Sequence, residues 1–320
     1  MVNEFPPRLH QKFYLTEGGT ETEVLYKWGF ELPEFAMFPL LDNPEANAVI
    51  RDIYRRYFHV AETCDTGLLI LGHDYRASPD WGAKLGYTPE GLADMQRRTI
   101  RFLADMRVAY EGRVTDTYIA GCIGPRGDAY GSGGEMSEAE AEDYHSVQLT
   151  TLKDTEADMA IALTFNNIPE AVGVVRAAAA LGIPVGISLT LTTESRLRSG
   201  PTLREAVEVI DERTGSGAAW FGTNCSHPLE FEPALADDGD WVDRLRYIRP
   251  NAVKMEKVAL CKLGHLEDGD PVELGKQMGE VARRFPGADI LGGCCGTDER
   301  HLAEIARNVN GLRRSRVTAE

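Results

Sequence analysis

Thr117-Tyr118-Ile119-Ala120-Gly121-Cys122-Ile123-Gly124 is a short apolar run without polar alternation. A strand with one face in water alternates apolar and polar residues, so a continuous run suits a strand buried on both faces of a parallel sheet. The residues that follow agree. The glycine-rich stretch Gly131-Ser132-Gly133-Gly134 reads as a loop, and Ser137 stands where a helix cap is wanted. A helix is predicted over 137–155, opening with Glu138 and Glu140, and a second apolar run occupies 157–164. Strand, helix and parallel strand form one crossover unit.

The same unit repeats in both directions. Strands are predicted at 13–19, 67–72, 117–124, 157–164, 184–190, 218–225, 251–257 and 288–295. Helices are predicted at 44–64, 89–111, 137–155, 169–181, 203–212, 271–285 and 298–309, with Pro44, Pro89 and Pro169 suited to first turns and Asp298 to a cap. The segment 228–240 is polar and broken and reads poorly as a helix. Eight strands with intervening helices predict an α/β fold, a single (β/α)8 TIM barrel over 1–320, rather than an open doubly wound sheet. No Ser- or Pro-rich linker divides the 320 residues.

Charge narrows the partners. Asp and Glu number 50 against 34 Lys and Arg, a formal net charge of −16. Such a chain lacks the basic footprint of a nucleic-acid binder and is repelled by anionic membranes. Small molecules are the expected partners, and a homo-oligomer is compatible with everything above. No apolar run approaches the ~18 residues of a membrane span. The start, with no basic residues ahead of an apolar stretch, predicts no secretory signal and a cytoplasmic location. Six cysteines in 320 residues are too sparse for a disulfide scaffold. Grouped cysteines in a reducing setting more often serve metal or redox chemistry.

In a barrel of this kind the site is built at the C-terminal ends of the strands. Those ends read Glu17-Gly18-Gly19-Thr20-Glu21, Gly72-His73-Asp74-Tyr75, Gly121-Cys122-Ile123-Gly124, Leu163-Thr164-Phe165-Asn166, Ser188-Leu189-Thr190, Gly222-Thr223-Asn224-Cys225, Lys254-Met255-Glu256 and Gly292-Gly293-Cys294-Cys295-Gly296. Cys225, Cys294 and Cys295 therefore converge on one face. Three protein ligands with an open fourth position form the pattern of a catalytic zinc site, and thiolates select Zn2+ over Mg2+ or Ca2+. Adjacent cysteines on a regular strand point to opposite faces, but the flanking glycines permit the irregular backbone that turns both inward. The alternatives are small buried hydrophobes or a redox pair formed by Cys294 and Cys295. Cys64, Cys122 and Cys261 read as packing or inert thiols.

These residues also carry a resemblance. Glu17-Gly18-Gly19-Thr20-Glu21, Gly124-Pro125-Arg126-Gly127-Asp128, Gly222-Thr223-Asn224-Cys225-Ser226-His227-Pro228 and Gly292-Gly293-Cys294-Cys295-Gly296-Thr297 resemble the homocysteine S-methyltransferase family. The family includes betaine–homocysteine methyltransferases and the zinc domain of cobalamin-dependent methionine synthase. The resemblance implies a (β/α)8 barrel, zinc on Cys225, Cys294 and Cys295, and methyl transfer from a cationic sulfonium or ammonium donor to a zinc-activated thiol. Homocysteine is then the expected acceptor and methionine the product. It also implies that Glu17 holds the acceptor's amino group, with Gly18 and Gly19 beside it. Asn224 would bind substrate or orient Cys225. A cationic donor wants an aromatic face, for which Phe35 and Tyr75 are the candidates, with Trp81 a further one.

Two stretches depart from the family. Many members have a Glu at the end of strand four, where this chain has Leu163-Thr164. The second strand ends Gly72-His73-Asp74-Tyr75 instead of a Thr-rich pattern, and His73 and Asp74 are candidates to replace lost contacts. A different thiol acceptor or a small sulfonium substrate therefore stays open, as does the donor.

Overall fold

The computed structural model describes residues 4–131, 136–236 and 239–317, with side chains to 312. Most of the expected glycine loop (132–134) and residues 237 and 238 of the polar segment lie outside the described residues. Eight parallel strands close in sequential order: β1 (Tyr14–Leu15), β2 (Gly67–Leu71), β3 (Thr117–Ile123), β4 (Met159–Phe165), β5 (Val185–Leu189), β6 (Trp220–Asn224), β7 (Leu245–Arg249) and β8 (Ile290–Leu291). Tyr14 pairs with Ile290 and Leu15 with Leu291, so β8 meets β1 and the barrel has no edge. Outside it run α1 (Thr20–Tyr26), α2 (Pro44–Cys64), α3 (Pro79–Lys84), α4 (Pro89–Ala109), α5 (Glu138–Lys153), α6 (Ile168–Leu181), α7 (Leu203–Thr214), α8 (Pro228–Phe231), α9 (Lys257–Lys262), α10 (Pro271–Arg284) and α11 (Glu299–Val317).

Local chemistry accounts for most helix starts. The Asn43 side chain accepts hydrogen bonds from the Glu45 and Ala46 amides ahead of α2. Ser137 with Glu140, and Thr202 with Glu205, form reciprocal capping pairs on α5 and α7. In α2 the buried residues Ile50, Ile53, Tyr54, Tyr57, Phe58 and Ala61 recur at helical spacing, so one stripe packs on the barrel.

The core has two layers. One lies between strands and helices. The other fills the barrel with Tyr14, Leu69, Leu71, Ala120, Cys122, Met159, Ile161, Trp220, Tyr247 and Ile290. Trp220 stacks on Tyr247 with centroids 5.0 Å apart, and the next strand makes room with Gly186, where a Cβ would come within 2.2 Å of the indole. The N-terminal segment plugs the lower end. Phe5, Pro6 and Pro7 carbonyls accept from Trp220 Nε1, Arg246 Nη1 and the Tyr14 hydroxyl at 2.9, 2.8 and 2.7 Å.

One expectation is overturned. The seventh strand is Leu245–Arg249, not 251–257, so Lys254, Met255 and Glu256 do not end it. Arg246 and Arg249 hide this strand from a reading of apolar runs, yet all five residues are buried. A buried arginine is tolerated when paired. Arg246 makes a bidentate pair with Asp289 (2.7 and 2.8 Å), and Arg249 donates to the Gly18 and Gly293 carbonyls (2.9 and 2.7 Å). The expected strands 13–19 and 288–295 also shrink to two paired residues each, because the chain leaves the ladder at Thr16 and Gly292 to build the site.

Candidate metal centre and substrate cavity

Cys225 lies one residue beyond β6 and has φ 53°, a left-handed conformation that bends the chain out of the strand. Its amide is held by the Arg249 carbonyl at 3.1 Å. Cys294 and Cys295 occupy a turn closed by the Thr297 amide on the Cys294 carbonyl (3.1 Å), with Gly296 at φ 83° in third position. A type II turn requires a positive φ there, which glycine supplies. The turn takes both cysteines out of strand alternation. The three sulfurs lie within 4.8 Å of one another. Around a tetrahedral centre with ~2.3 Å bonds, sulfurs sit about 3.8 Å apart, so a small contraction would seat a zinc ion.

The end of β1 is packed against this turn. The Gly19 amide donates to the Thr297 carbonyl at 2.8 Å, and a Cβ on Gly19 would lie 2.5 Å from the Cys294 carbonyl oxygen. Gly18 is equally tight against the Thr297 carbonyl. Gly19 lines the cavity and Gly18 does not. The glycines of this motif therefore let two chain segments touch at the cysteine cluster.

Asn224 is saturated. Its Oδ1 accepts from the Thr164 amide and the Ser188 hydroxyl at 3.0 and 2.7 Å, and its Nδ2 donates to the Thr164 hydroxyl at 2.8 Å and to Cys225 Sγ at 3.2 Å. Fully buried, it orients Cys225 and keeps no atom for a ligand. Hydrogen bonds from Cys294 and Cys295 hold the Cys225 thiol well below its usual range against burial, helped by the Tyr130 hydroxyl and the Arg249 charge. Cys294 is pushed up to about 12 by its bond to Cys225, and Cys295 is also raised. The cluster thus concentrates one thiolate among three sulfurs.

The thiols open into a cavity of about 380 Å³ at the C-terminal mouth of the barrel. Glu17, just beyond β1, Phe35, in the loop after α1, and Tyr75, in the loop after β2, line it. Glu17 is engaged: both carboxylate oxygens accept from the Leu71 amide at 3.2 and 3.3 Å, and Arg249 lies 3.8 Å away. Burial raises its carboxyl to about 7 against the opposing pull of Arg249. Trp81 is not in the lining, and its ring face is covered by Arg76 (4.1 Å) and Lys84 (4.2 Å).

His73 and Asp74 turn away from the cavity. His73 is wedged between the Tyr54 and Phe102 rings, and Asp74 accepts from the Cys122 amide at 2.9 Å. The segment 228–240 begins with α8 and a 3-10 turn, and its described residues do not line the cavity. The mouth is instead bordered by Leu260 and Cys261 of α9 with His265, Leu266 and Glu267.

Among the lining residues that escaped the sequence reading as single sites are Glu21, Arg76, Asp128, Tyr130 and Arg249. Asp128 belongs to the motif Gly124–Asp128, which anchors the loop after β3. There Gly124 donates to the Tyr75 carbonyl, the Arg126 amide to Glu170 at 2.7 Å, and Arg76 Nη1 to the Gly127 carbonyl at 3.1 Å. That anchoring carries Tyr130 to the thiols. Leu163, half-buried, faces the cavity where an acidic residue was expected from the resemblance.

Three thiols gathered at the C-terminal mouth of a (β/α)8 barrel form a group that could hold a metal ion. A family model described as homocysteine S-methyltransferase matches residues 14–309, and the chain belongs to that family. Homocysteine S-methyltransferase YbgG of Bacillus subtilis is 22% identical over 304 residues, covering 86% of this chain and 87% of that protein. Betaine–homocysteine S-methyltransferase 1 of the mouse is 26% identical over 219 residues; the match spans 60% of this chain and 51% of that enzyme's length. The metallated homocysteine methyltransferase MmuM of Escherichia coli superposes with a TM-score of 0.72 at 20% identity, covering 92% of this chain and 96% of its own. That likeness concerns the fold.

Proposed function

We propose that this chain is a zinc-dependent S-methyltransferase that moves a methyl group from a cationic sulfonium or ammonium donor to a thiol, with homocysteine as acceptor and methionine as product. The observation that carries the reading is the convergence of Cys225, Cys294 and Cys295 within 4.8 Å at a cavity that leaves their fourth side open. Those three residues would hold the metal, which when bound supplies the Lewis acidity that lets an acceptor thiol react as a thiolate at neutral pH.

The chain's own groups do the rest. Asn224 fixes the Cys225 rotamer, as partners of metal ligands commonly do. The Phe35 ring and the face of Tyr75 opposite the Arg76 guanidinium, which lies 5.0 Å from that ring's centre, offer π-faces to an onium methyl donor. Arg76 has no carboxylate within ion-pair distance among the described residues, and its Nε is buried without a partner. A donor carrying a carboxylate would supply that counter-charge. Leu71, Leu163 and Met37 exclude water around the transferred methyl, and holding both substrates in line lowers the barrier through orientation. Thiols kept free in this way suit a reducing compartment, and we place the protein in the cytoplasm.

Leu163 favours a second reading, with the same metal chemistry and another thiol acceptor or a small sulfonium substrate. The test measures zinc and methyl transfer on one preparation, wild type beside Cys294→Ser, with homocysteine against a panel of sulfonium and ammonium donors. About one zinc per chain, lost in the variant together with methionine formation, supports the main reading. Zinc without methionine from any donor moves the acceptor elsewhere. No zinc in freshly reduced protein overturns both readings and leaves Cys294 and Cys295 to redox chemistry.

A further inference from the structure

We propose that Glu21 is the residue that selects an acceptor thiol bearing an amino group, taking the part that neither Leu163 nor Glu17 is free to play. This rests on the reading that a thiol acceptor enters the cavity above the three cysteines.

Glu21 lies in the first turn of α1, two residues beyond Gly19, which packs against the cysteine turn. The closed end of β1 therefore delivers it to the cavity rather than to the outer surface, and it lines that cavity. Its carboxylate stands close enough to Cys294 and to Arg249 for their charges to act on it. No side chain among the described residues makes a hydrogen bond or an ion pair to it. It is half-buried at the cavity wall, and the only hydrogen bond found for its carboxylate among the described residues is to its own backbone.

Three positions border the deep part of this cavity, and only one of them carries a carboxylate without an ion pair. Glu17 spends its oxygens on the Leu71 amide and Arg249. An ammonium arriving at Glu17 would have to share it with a guanidinium 3.8 Å away, which repels it. At the end of β4 the residue is Leu163, which can make no bond to an ammonium. Glu21 alone offers an anion without a cationic partner beside the thiols. Asp128 and Glu267 also line the cavity, but Asp128 is exposed, where water screens it, and Glu267 is paired with His265 Nε2 at 2.9 Å.

The distribution of charge agrees. With Glu17 and Arg249 cancelling, the lining groups that are not exposed and make no ion pair among the described residues are Glu21 on the β1 side and Arg76 on the β2 side. A cavity that holds a free acid beside its thiols is built for a ligand carrying a cation close to its sulfur. A charge-assisted hydrogen bond in a water-poor site contributes roughly a tenfold to hundredfold preference.

The test compares binding of L-homocysteine with that of 4-sulfanylbutanoate, the same thiol without its amino group. Affinities are measured by calorimetry on the purified protein, with zinc content and methyl transfer recorded on the same samples. Wild type should prefer homocysteine by roughly tenfold to a hundredfold. Glu21→Gln, which keeps shape and removes charge, should collapse that preference by weakening homocysteine alone, with 4-sulfanylbutanoate affinity and zinc content unchanged. Unchanged binding of the second thiol also shows that the variant is folded. Glu17→Gln should leave the preference in place. A wild type without preference, or a preference that survives Glu21→Gln and disappears in Glu17→Gln, overturns the proposal. Absent zinc or absent methyl transfer overturns the functional reading instead, and the binding comparison stands apart from it.

Discussion

Arg246 and Arg249 lie three residues apart on β7, and both are buried. They serve opposite ends of the barrel. Arg246 faces the lower end, where Asp289 takes two of its nitrogens and the Pro6 carbonyl a third. The Tyr14 hydroxyl and Trp220 indole there are satisfied by the same N-terminal segment. Arg249 faces the upper end, where Glu17 is its partner at the looser distance of 3.8 Å. Around it remain three thiols, Glu21 and Arg76 without counter-charges, and a cavity of about 380 Å³. A polar group with its partners in place holds a fold together; a group left without one is a place for a ligand. The two ends of one strand show the same residue type put to each use.

The contrast can be broken in order of effect. Replacing Cys294 by Ser should abolish zinc retention and methyl transfer while leaving the urea unfolding midpoint of the metal-free protein nearly unchanged, since the lower end is untouched. Metal analysis beside denaturation curves checks both halves. Arg246→Met should do the reverse. Breaking a buried pair by removing one partner costs about 3–5 kcal/mol. Adding Asp289→Leu should recover much of the loss, because an apolar pair leaves no charge stranded. If Arg246→Met instead emptied the metal site of folded protein, the two ends would not be separable.

Asn224→Ala tests the support of the thiols. Without its bond to Sγ, Cys225 loses one constraint on its rotamer, and zinc affinity should fall about 10- to 100-fold in a competition assay with a chromogenic chelator. Tyr75→Leu keeps bulk and removes the π-face. The donor KM should rise between about twofold and thirtyfold with zinc content constant. An unchanged KM would assign the onium to another wall of the cavity.

The smallest effect concerns acid stability. Asp298, beside the cysteine turn, is pushed up by burial, but bonds from His301, Arg300 and Lys27 outweigh this and hold its carboxyl well below the usual range. A carboxyl depressed in the folded state contributes stability that is complete above its unfolded value, about 4, and is lost as pH falls below it. Asp298→Asn should therefore flatten the fall of the urea midpoint between neutral pH and pH 3, with little effect on zinc content at pH 7.

Local patterns along the chain were enough for seven of the eight strands, because an apolar run flanked by helix caps needs no knowledge of the rest of the molecule. They failed at β7, where Arg246 and Arg249 are buried only because Asp289 and Glu17 arrive from strands far away in sequence. Cys225, Cys294 and Cys295 were legible as a set through residue type, spacing and resemblance, and the glycines around them hinted at the bent backbone. Tyr130 and Arg249 had no signal of that kind.

The division follows from what each residue's part depends on. A cysteine or a capping serine carries its chemistry in its side chain and its immediate neighbours, so its type and position suffice. Whether a carboxylate is spent or free depends on groups that only the closed barrel brings within a few ångströms. Glu17 and Glu21 sit four residues apart in one motif and are the same amino acid. Closure of β1 between β2 and β8 gives the first to Leu71 and Arg249 and leaves the second facing the cavity.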